Sequence, residues 1–184
     1  MIWLIALIVG LGLGLATGGK IGNLARIQFR WPWLVIAALV IREAAVATPL
    51  SHVEGVQYLY TVALAALVGW TIWQIGRVAG IWIVTAGASL NLVVIAANGG
   101  RMPVAPALAG PLLRQGHLGQ YTLMTSGSNL RWLADWISMP GLIAQHVSEV
   151  YSPGDLVVAA GIAVVIFIAM RPVESRPRIV SDPP

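Results

Sequence analysis

Asn98-Gly99-Gly100-Arg101-Met102-Pro103 opens the stretch that decides the fold of this chain, and Ser152-Pro153-Gly154-Asp155 closes it. Long apolar runs lie on either side of the stretch. Runs of that length are typical of membrane helices, which need about 20 apolar residues. We therefore interpret residues 98–153 as the outer segment of a membrane protein, and expect any specific surface to lie there first.

The composition supports the bilayer as solvent. The chain has 184 residues, of which 58% are hydrophobic and 10% are charged. Soluble domains carry about 25% charged residues. In a membrane, helices satisfy their own backbone hydrogen bonds. The predicted fold is all-α: a polytopic membrane helix bundle forming a single domain over residues 1–171.

Five transmembrane helices are predicted from the apolar runs, at about residues 1–17, 31–49, 56–75, 80–97 and 154–170. The Pro-rich residues 172–184 are predicted to be a disordered cytoplasmic tail. In the first helix Gly10 and Gly14 form a small-xxx-small pair, which lets another helix approach closely. Gly18-Gly19-Lys20 then supplies a left-handed cap that ends the helix.

Basic residues predict the orientation, because cytoplasmic loops carry an excess of Lys and Arg. With the amino terminus outside and the carboxyl terminus inside, seven lie inside: Lys20, Arg26, Arg30, Arg77, Arg171, Arg176 and Arg178. Three lie outside: Arg101, Arg114 and Arg131. They stand singly rather than in a patch, which argues against a nucleic-acid partner despite the net charge of +4.

Two charged residues fall within a predicted membrane helix. Arg42 lies roughly 16 Å along the second helix from Trp31, at a rise of ~1.5 Å per residue. A charge at that depth costs at least ~2.5 kcal/mol, so such residues normally face the bundle interior. The hypothesis is a buried polar cluster that joins helices two and four: Arg42, Glu43, Ser89 and Asn91. It is either a network that locks the helices or a proton, quinone or anion site.

The start of the outer segment has two interpretations. Asn98-Gly99-Gly100 followed by Pro103 is typical of helix termination. Alternatively, the backbone N–H groups of Asn98, Gly99 and Gly100 form a nest beside Arg101 that binds an anion or a lipid headgroup.

Two further elements are predicted in the outer segment. Residues 128–137 have the pattern of a short amphipathic helix at the membrane interface, with Arg131 and Asp135 as an i,i+4 pair. Trp132 and Trp136 share one face of it and contact lipid or a partner. Ser152-Pro153-Gly154-Asp155 predicts an N-cap, a Pro at the first helical position and an acidic capping box.

No catalytic set or metal site emerges. His52, His117 and His146 lack metal-ligand spacing, and the chain has no Cys, which excludes disulfides and thiol chemistry. The sequence indicates no cofactor, although contact with lipid or a pigment is compatible with it.

Gly18-Gly19-Lys20-Ile21-Gly22-Asn23-Leu24 and residues 98–103 resemble the signatures of an uncharacterised bacterial family of small membrane proteins, a domain of unknown function. Leu133-Ala134-Asp135 and residues 152–155 also resemble its pattern, with Ala134 where Gly is expected and Pro153 where an apolar residue is expected. The resemblance covers most of residues 1–170. It implies a bacterial inner-membrane protein and transfers no activity.

The leading hypothesis is a non-catalytic accessory or stabilising subunit of a larger bacterial membrane complex, with membrane lipids and membrane proteins as partners. The alternative is a small carrier or ligand-binding membrane protein for an anion, a lipid or a quinone, using Arg42, Glu43 and Asn91. A quinone-linked or lipid-processing enzyme is a third and weaker possibility, because no catalytic set can be named for it.

Overall fold

The structure, a computed structural model, describes residues 1–47, 53–110, 117–138 and 150–171, with only the backbone for 42–47 and 117–118. Five α-helices lie in these residues: α1 (Ile2–Ala16), α2 (Trp33–Ala47), α3 (Val56–Gln74), α4 (Ile81–Ala97) and α5 (Pro153–Met170). The predicted tail at 172–184 lies outside the described residues.

The helices differ in their capacity to cross a membrane. α3, with 19 residues, and α5, with 18, are long and apolar enough to do so. α1 and α4 are apolar but shorter, with 15 and 17 residues. The described part of the chain is therefore a mostly helical bundle with two candidate membrane spans, and five crossings remain a prediction.

The helices pack side by side in the order α2, α3, α4, α5, α1. α1 and α5 run in parallel, because Gly10 approaches Ala163 and Gly14 approaches Met170. α4 and α5 are antiparallel, since Gly87 lies beside Gly154 and Gly161 lies beside Val84. α3 runs opposite to α2 and α4, so directions alternate along the chain.

Glycines on α4 and α5 let these two helices meet backbone to backbone, and we call this contact the glycine seam. A Cβ atom added at Gly87 would lie 2.6 Å from both the Gly154 carbonyl oxygen and the Val158 nitrogen. One added at Gly161 would lie 2.6 Å from the Val84 nitrogen. Non-bonded carbon atoms do not approach other atoms this closely. The two helices can therefore pack at this distance only because glycine has no side chain.

The predicted close approach at Gly10 and Gly14 is confirmed, and its partner is α5. A Cβ atom at Gly10 would lie 2.8 Å from the Ala163 carbonyl oxygen, and one at Gly14 would collide with the Met170 sulfur. α5 therefore packs between α1 and α4, and small residues enable both contacts.

One end of the bundle, which we call the basic end, contains the loops that leave α1 and α3 and the end of α5. Gly18 ends α1 with φ +80°, as predicted. The Lys20 backbone N–H and the Asn23 side-chain amide both donate to the Met170 carbonyl, each at 2.9 Å. The glycine motif therefore caps the last turn of α5 as well as ending α1.

Aromatic and amide side chains attach the start of α2 to the end of α3 at this basic end. The Arg30 carbonyl accepts hydrogen bonds from Trp70 Nε1 at 2.7 Å and from Gln74 Nε2 at 2.8 Å. Trp31 packs edge-on against Trp73, with ring centroids 5.6 Å apart. These contacts fix the 27–32 connection across the ends of both helices.

The opposite end, the sheet end, contains strands that the sequence did not predict. β1 (Met102–Val104) pairs in parallel with β3 (Tyr121–Leu123), and β2 (His117–Leu118) pairs antiparallel with β3. β4 (Ile137–Ser138) pairs antiparallel with β5 (Val150–Tyr151), which leads directly into α5. Met102 and Val104, each 4% exposed, contribute to the apolar core of this end.

The predicted amphipathic helix over residues 128–137 is wrong. The segment contains only a three-residue 3-10 turn, Arg131–Leu133, after Leu130 in the left-handed conformation. Asp135 N–H then donates to the Pro103 carbonyl at 3.0 Å, and Ala105 N–H donates to the Asp135 carbonyl at 2.8 Å. An isolated helix this short is marginal, and pairing with the chain beside β1 satisfies the backbone instead.

The glycine seam generates a stability prediction. Gly87→Ala should lower the free energy of unfolding by about 1–3 kcal/mol, because the new methyl group overpacks two backbones that cannot move aside independently. Gly69→Ala on α3 is the matched control, since nothing lies within 4 Å of a Cβ atom there. Both changes gain the same helix propensity. Unfolding curves in one detergent measure the difference, and equal stability of the two variants would contradict the seam.

Candidate functional site

The predicted capping box at the start of α5 is confirmed. Ser152 is the N-cap and its Oγ accepts the Asp155 N–H at 3.0 Å, while Asp155 Oδ2 accepts the Ser152 N–H at 3.0 Å. Pro153 occupies the first helical position. The cap satisfies two backbone donors that the helix itself leaves without partners.

Asn91 on α4 extends this cap across the glycine seam. Its Nδ2 donates to Asp155 Oδ1 at 2.8 Å, and its Oδ1 accepts the Ser152 hydroxyl at 2.8 Å. Because Gly154 has no side chain, Asn91 lies directly against the first turn of α5. We call Asn91, Ser152, Asp155 and the nearby Asp135 the acidic cap cluster.

The hypothesised cluster of Arg42, Glu43, Ser89 and Asn91 stays a prediction. Arg42 and Glu43 lie on α2, which packs against α3, and their side chains lie outside the described part of the chain. Ser89 is half-buried on α4. The hydrogen bonds of Asn91 go to the start of α5, so this residue already has a role that requires neither charge.

Asp135 contributes the unusual carboxyl group of the acidic cap cluster. Asp135 is 5% exposed, and its Oδ1 atom is buried without a hydrogen-bond partner among the described residues. The predicted pair with the exposed Arg131 is therefore wrong. Backbone pairing with Pro103 and Ala105 holds the residue inside the sheet end, away from that guanidinium.

Burial governs the protonation of this carboxyl group. Desolvation, followed by the negative charge of Asp155, raises the pKa of Asp135 from its ordinary value of 3.8 to about 8. Burial penalises the ionised form because the interior solvates charge poorly. Asp135 therefore holds a proton at neutral pH, and a perturbed carboxyl of this kind is a candidate for proton exchange.

The Asn98-to-Arg101 motif performs helix termination and also attaches a distant loop. Gly100 N–H donates to the Ile95 carbonyl at 2.9 Å, with φ +85°. The Asn98 side chain binds the Asn129 backbone: its Nδ2 donates to the Asn129 carbonyl at 3.0 Å, and its Oδ1 accepts the Asn129 N–H at 2.8 Å. The Asn129 side chain in turn donates to the Ala97 carbonyl at 2.8 Å. These three hydrogen bonds hold the 125–133 loop against the end of α4.

Arg101 projects from the same motif and contacts Glu54 at 3.4 Å. Its Nε is buried and has no hydrogen-bond partner within the described ranges. At Gly99, which has φ +66°, an added Cβ atom would meet nothing within 4 Å. The anion nest proposed for these residues stays a prediction, although the N–H groups of Asn98 and Gly100 already donate to Ile95.

Trp132 and Trp136 lie next to each other at the sheet end, although they do not share a helix. Trp136 Nε1 donates to the Trp132 carbonyl at 2.9 Å. Trp132 is 67% exposed and Trp136 is 49% exposed. They line one shallow groove with residues from the same loop: Met124, Ser128, Leu130 and Arg131. We call this surface the tryptophan groove.

Sequence reasoning missed the burial of Asp135 and the strand pairing that causes it. One local signal was present, because Asp135 lies between apolar neighbours, Leu133-Ala134 and Trp136-Ile137. The pairing partners, Pro103 and Ala105, are some thirty positions away, and no local pattern encodes that distance.

Taken together, the fold defines a mostly helical bundle with candidate membrane spans and a polar cap at one end. A family model described as "Family of unknown function (DUF5317)" matches residues 26–167, and the chain belongs to this family. The match includes the motifs at 98–103 and 152–155, whereas the glycine motif at 18–24 precedes it. Searches of curated proteins and of solved structures found no match.

The raised pKa of Asp135 predicts how stability depends on pH. Between about pH 4 and about pH 8 the folded chain holds a proton that the unfolded chain releases, so the free energy of unfolding falls as pH rises through this window. Asp135→Asn should flatten that slope, because an amide does not titrate. Thermal unfolding in detergent across the window measures it.

Glu54→Gln is the control for this prediction, because the Glu54 side chain is 74% exposed. This variant should keep the slope of the unmodified protein. An unchanged slope in Asp135→Asn would contradict the assignment of a buried proton to Asp135.

Proposed function

We propose that the chain crosses a bacterial inner membrane five times. The apolar surface of the bundle supports this, since α1 exposes large apolar side chains on several sides: Trp3, Leu4, Ile5, Leu7, Ile8, Val9, Leu13 and Leu15. Soluble monomers rarely expose contiguous apolar patches of more than a few hundred Å². Lipid contact explains such a surface, because apolar side chains that face lipid are not exposed to water.

The charge distribution supports an orientation with the sheet end outside. The described residues at the basic end include five cations: Lys20, Arg26, Arg30, Arg77 and Arg171. The described residues of the sheet end include Arg101 and Arg131, together with three acids: Glu54, Asp135 and Asp155. Cytoplasmic loops are enriched in Lys and Arg, so the basic end belongs in the cytoplasm.

Within that membrane we propose a non-catalytic accessory or stabilising role in a larger complex. The observation that carries the proposal is the tryptophan groove, in which Trp132 is 67% exposed at the sheet end. Backbone pairing of the 103–105 and 131–135 segments and the Asn98–Asn129 hydrogen bonds hold the groove in place. Aromatic side chains presented on a fixed backbone are typical anchors of protein interfaces, since they bury large areas at low entropic cost.

Polar side chains at the sheet end already form hydrogen bonds within the chain, which favours this role over that of a carrier. Asn91 and Asp155 bind each other across the glycine seam. The Asn98 side chain binds the Asn129 backbone. These contacts stabilise the fold, whereas the tryptophan groove remains an exposed aromatic surface at the sheet end. A partner would be another membrane protein whose outer face meets the groove at the membrane surface.

The orientation can be tested directly because the natural chain has no Cys. Single variants Ser126→Cys at the sheet end and Ala25→Cys at the basic end both place a thiol at an exposed position. A membrane-impermeant maleimide added to intact spheroplasts should label Ser126→Cys and leave Ala25→Cys unlabelled until the cells are opened. Labelling in the reverse pattern would overturn the orientation.

Docking through the tryptophan groove can be tested by photo-crosslinking in the native host. A photoreactive amino acid at position 132 should give one discrete adduct with another membrane protein. The same amino acid at position 82 is the control, because Trp82 is 61% exposed and lies at the basic end. Trp132→Ala combined with Trp136→Ala should abolish co-purification of the crosslinked protein. Adducts with lipid alone at position 132 would contradict the docking proposal.

A further inference from the structure

A groove with a volume of 630 Å³ lies at the basic end. Three chain segments enclose it: residues 23–28 after α1, residues 77–79 in the turn between α3 and α4, and residues 165–171 at the end of α5. It lies on the opposite end of the bundle from the tryptophan groove and shares no residue with it.

Three arginines line the groove, one from each segment: Arg26, Arg77 and Arg171. All three are exposed, and none forms an ion pair with any residue that the structure describes. Among the residues that the structure describes, no carboxylate lines the groove. The described acids with placed side chains, Glu54, Asp135 and Asp155, belong to the sheet end. The described residues therefore supply no acidic counter-charge to the three arginines, and an anion would lower the repulsion between them.

The inner wall of the groove is apolar. Val78 is 7% exposed and Val165 is 8% exposed, and they pack together with Ile81. Ile168 and Ala169 are half-buried and continue this wall along α5. The groove thus combines three cations at its rim with hydrocarbon along a helix that is long and apolar enough to cross a membrane.

Local contacts hold two of the lining residues, Asn23 and Arg171, in position. Asn23 Nδ2 donates to the carbonyls of Met170 at 2.9 Å and Arg171 at 3.2 Å. The Arg171 guanidinium carbon lies 4.5 Å from the centroid of the Phe167 ring. Because Asn23 and the Lys20 N–H occupy the last carbonyls of α5, the negative dipole end of that helix is partly neutralised. An anion beside it meets less opposition than at a bare helix end.

We propose that this groove binds an anionic glycerophospholipid of the cytoplasmic leaflet. The phosphodiester lies among the three arginines, where guanidinium groups donate paired hydrogen bonds to phosphate oxygens. An acyl chain follows the apolar wall toward the bilayer interior. A soluble anion would use the arginines alone and gain nothing from Val165 and Ile168. The inference rests on the membrane location given in the proposed function.

Lipid binding to the purified full-length chain tests the proposal. The chain in mild detergent is titrated with phosphatidylglycerol, with phosphatidylcholine as the zwitterionic comparison, and native mass spectrometry counts the bound lipids. Each interfacial arginine contributes about a fivefold gain in affinity for an anionic lipid. Arg77→Gln should therefore weaken phosphatidylglycerol binding about fivefold. Combining it with Arg26→Gln and Arg171→Gln should weaken binding about a hundredfold.

Arg131→Gln is the matched control, because Arg131 is an exposed arginine at the sheet end. It should bind phosphatidylglycerol as tightly as the unmodified chain. Arg77→Gln alone decides the question if the triple variant does not fold. Equal binding of the two lipids, or an equal loss in Arg131→Gln and Arg77→Gln, would overturn the proposal.

A third experiment adds inorganic phosphate or phosphatidylglycerol and measures the unfolding temperature of the chain. Phosphatidylglycerol should raise the unfolding temperature and phosphate should not, whereas an equal rise with phosphate would overturn the lipid assignment. Lipid binding in the groove and the proposed membrane location can be refuted separately. A chain that labels as predicted from outside the cell but shows no lipid preference refutes the groove alone. A chain found outside the membrane fraction refutes both.

Discussion

The close contact of α4 and α5 is the constraint on which the rest of the structure depends. Gly87, Gly154 and Gly161 remove every side chain that would separate the two backbones. Asn91 then joins the helices by hydrogen bonds to Ser152 and Asp155. In lipid, where hydrophobic attraction between helices is absent, packing and such polar contacts must hold a bundle together. The glycine seam supplies both the close packing and the polar contacts at the same depth in the bundle.

The seam also positions the features at both ends. At the sheet end it sets where β5 enters α5, and it places the Asp155 charge close enough to Asp135 to contribute to the raised pKa. At the basic end α5 arrives between α1 and the start of α4, where residues 165–171 complete the arginine-lined groove. A single pair of helices thus links a protonated carboxyl, an exposed aromatic surface and a cationic groove.

Much of the helical fold was predictable because its signals are local. Apolar runs located the helices, Gly18 ended α1, and Ser152 to Asp155 specified the capping box. The membership of the chain in a family of unknown function followed from its motifs. The failures were non-local: the strands around Met102–Val104 and the burial of Asp135 depend on partners far along the chain. Asn91 was recognised as a polar residue in an apolar helix, but its partners on α5 were not.

We propose that the chain works as a subunit of a larger membrane assembly. The most direct measurement is the mass of the particle that contains it, isolated in mild detergent from the native host at native expression. We expect a complex that contains a second membrane protein in fixed stoichiometry and that dissociates when Trp132 and Trp136 are both replaced by Ala. A stable particle that contains one copy of this chain and no other protein would contradict it.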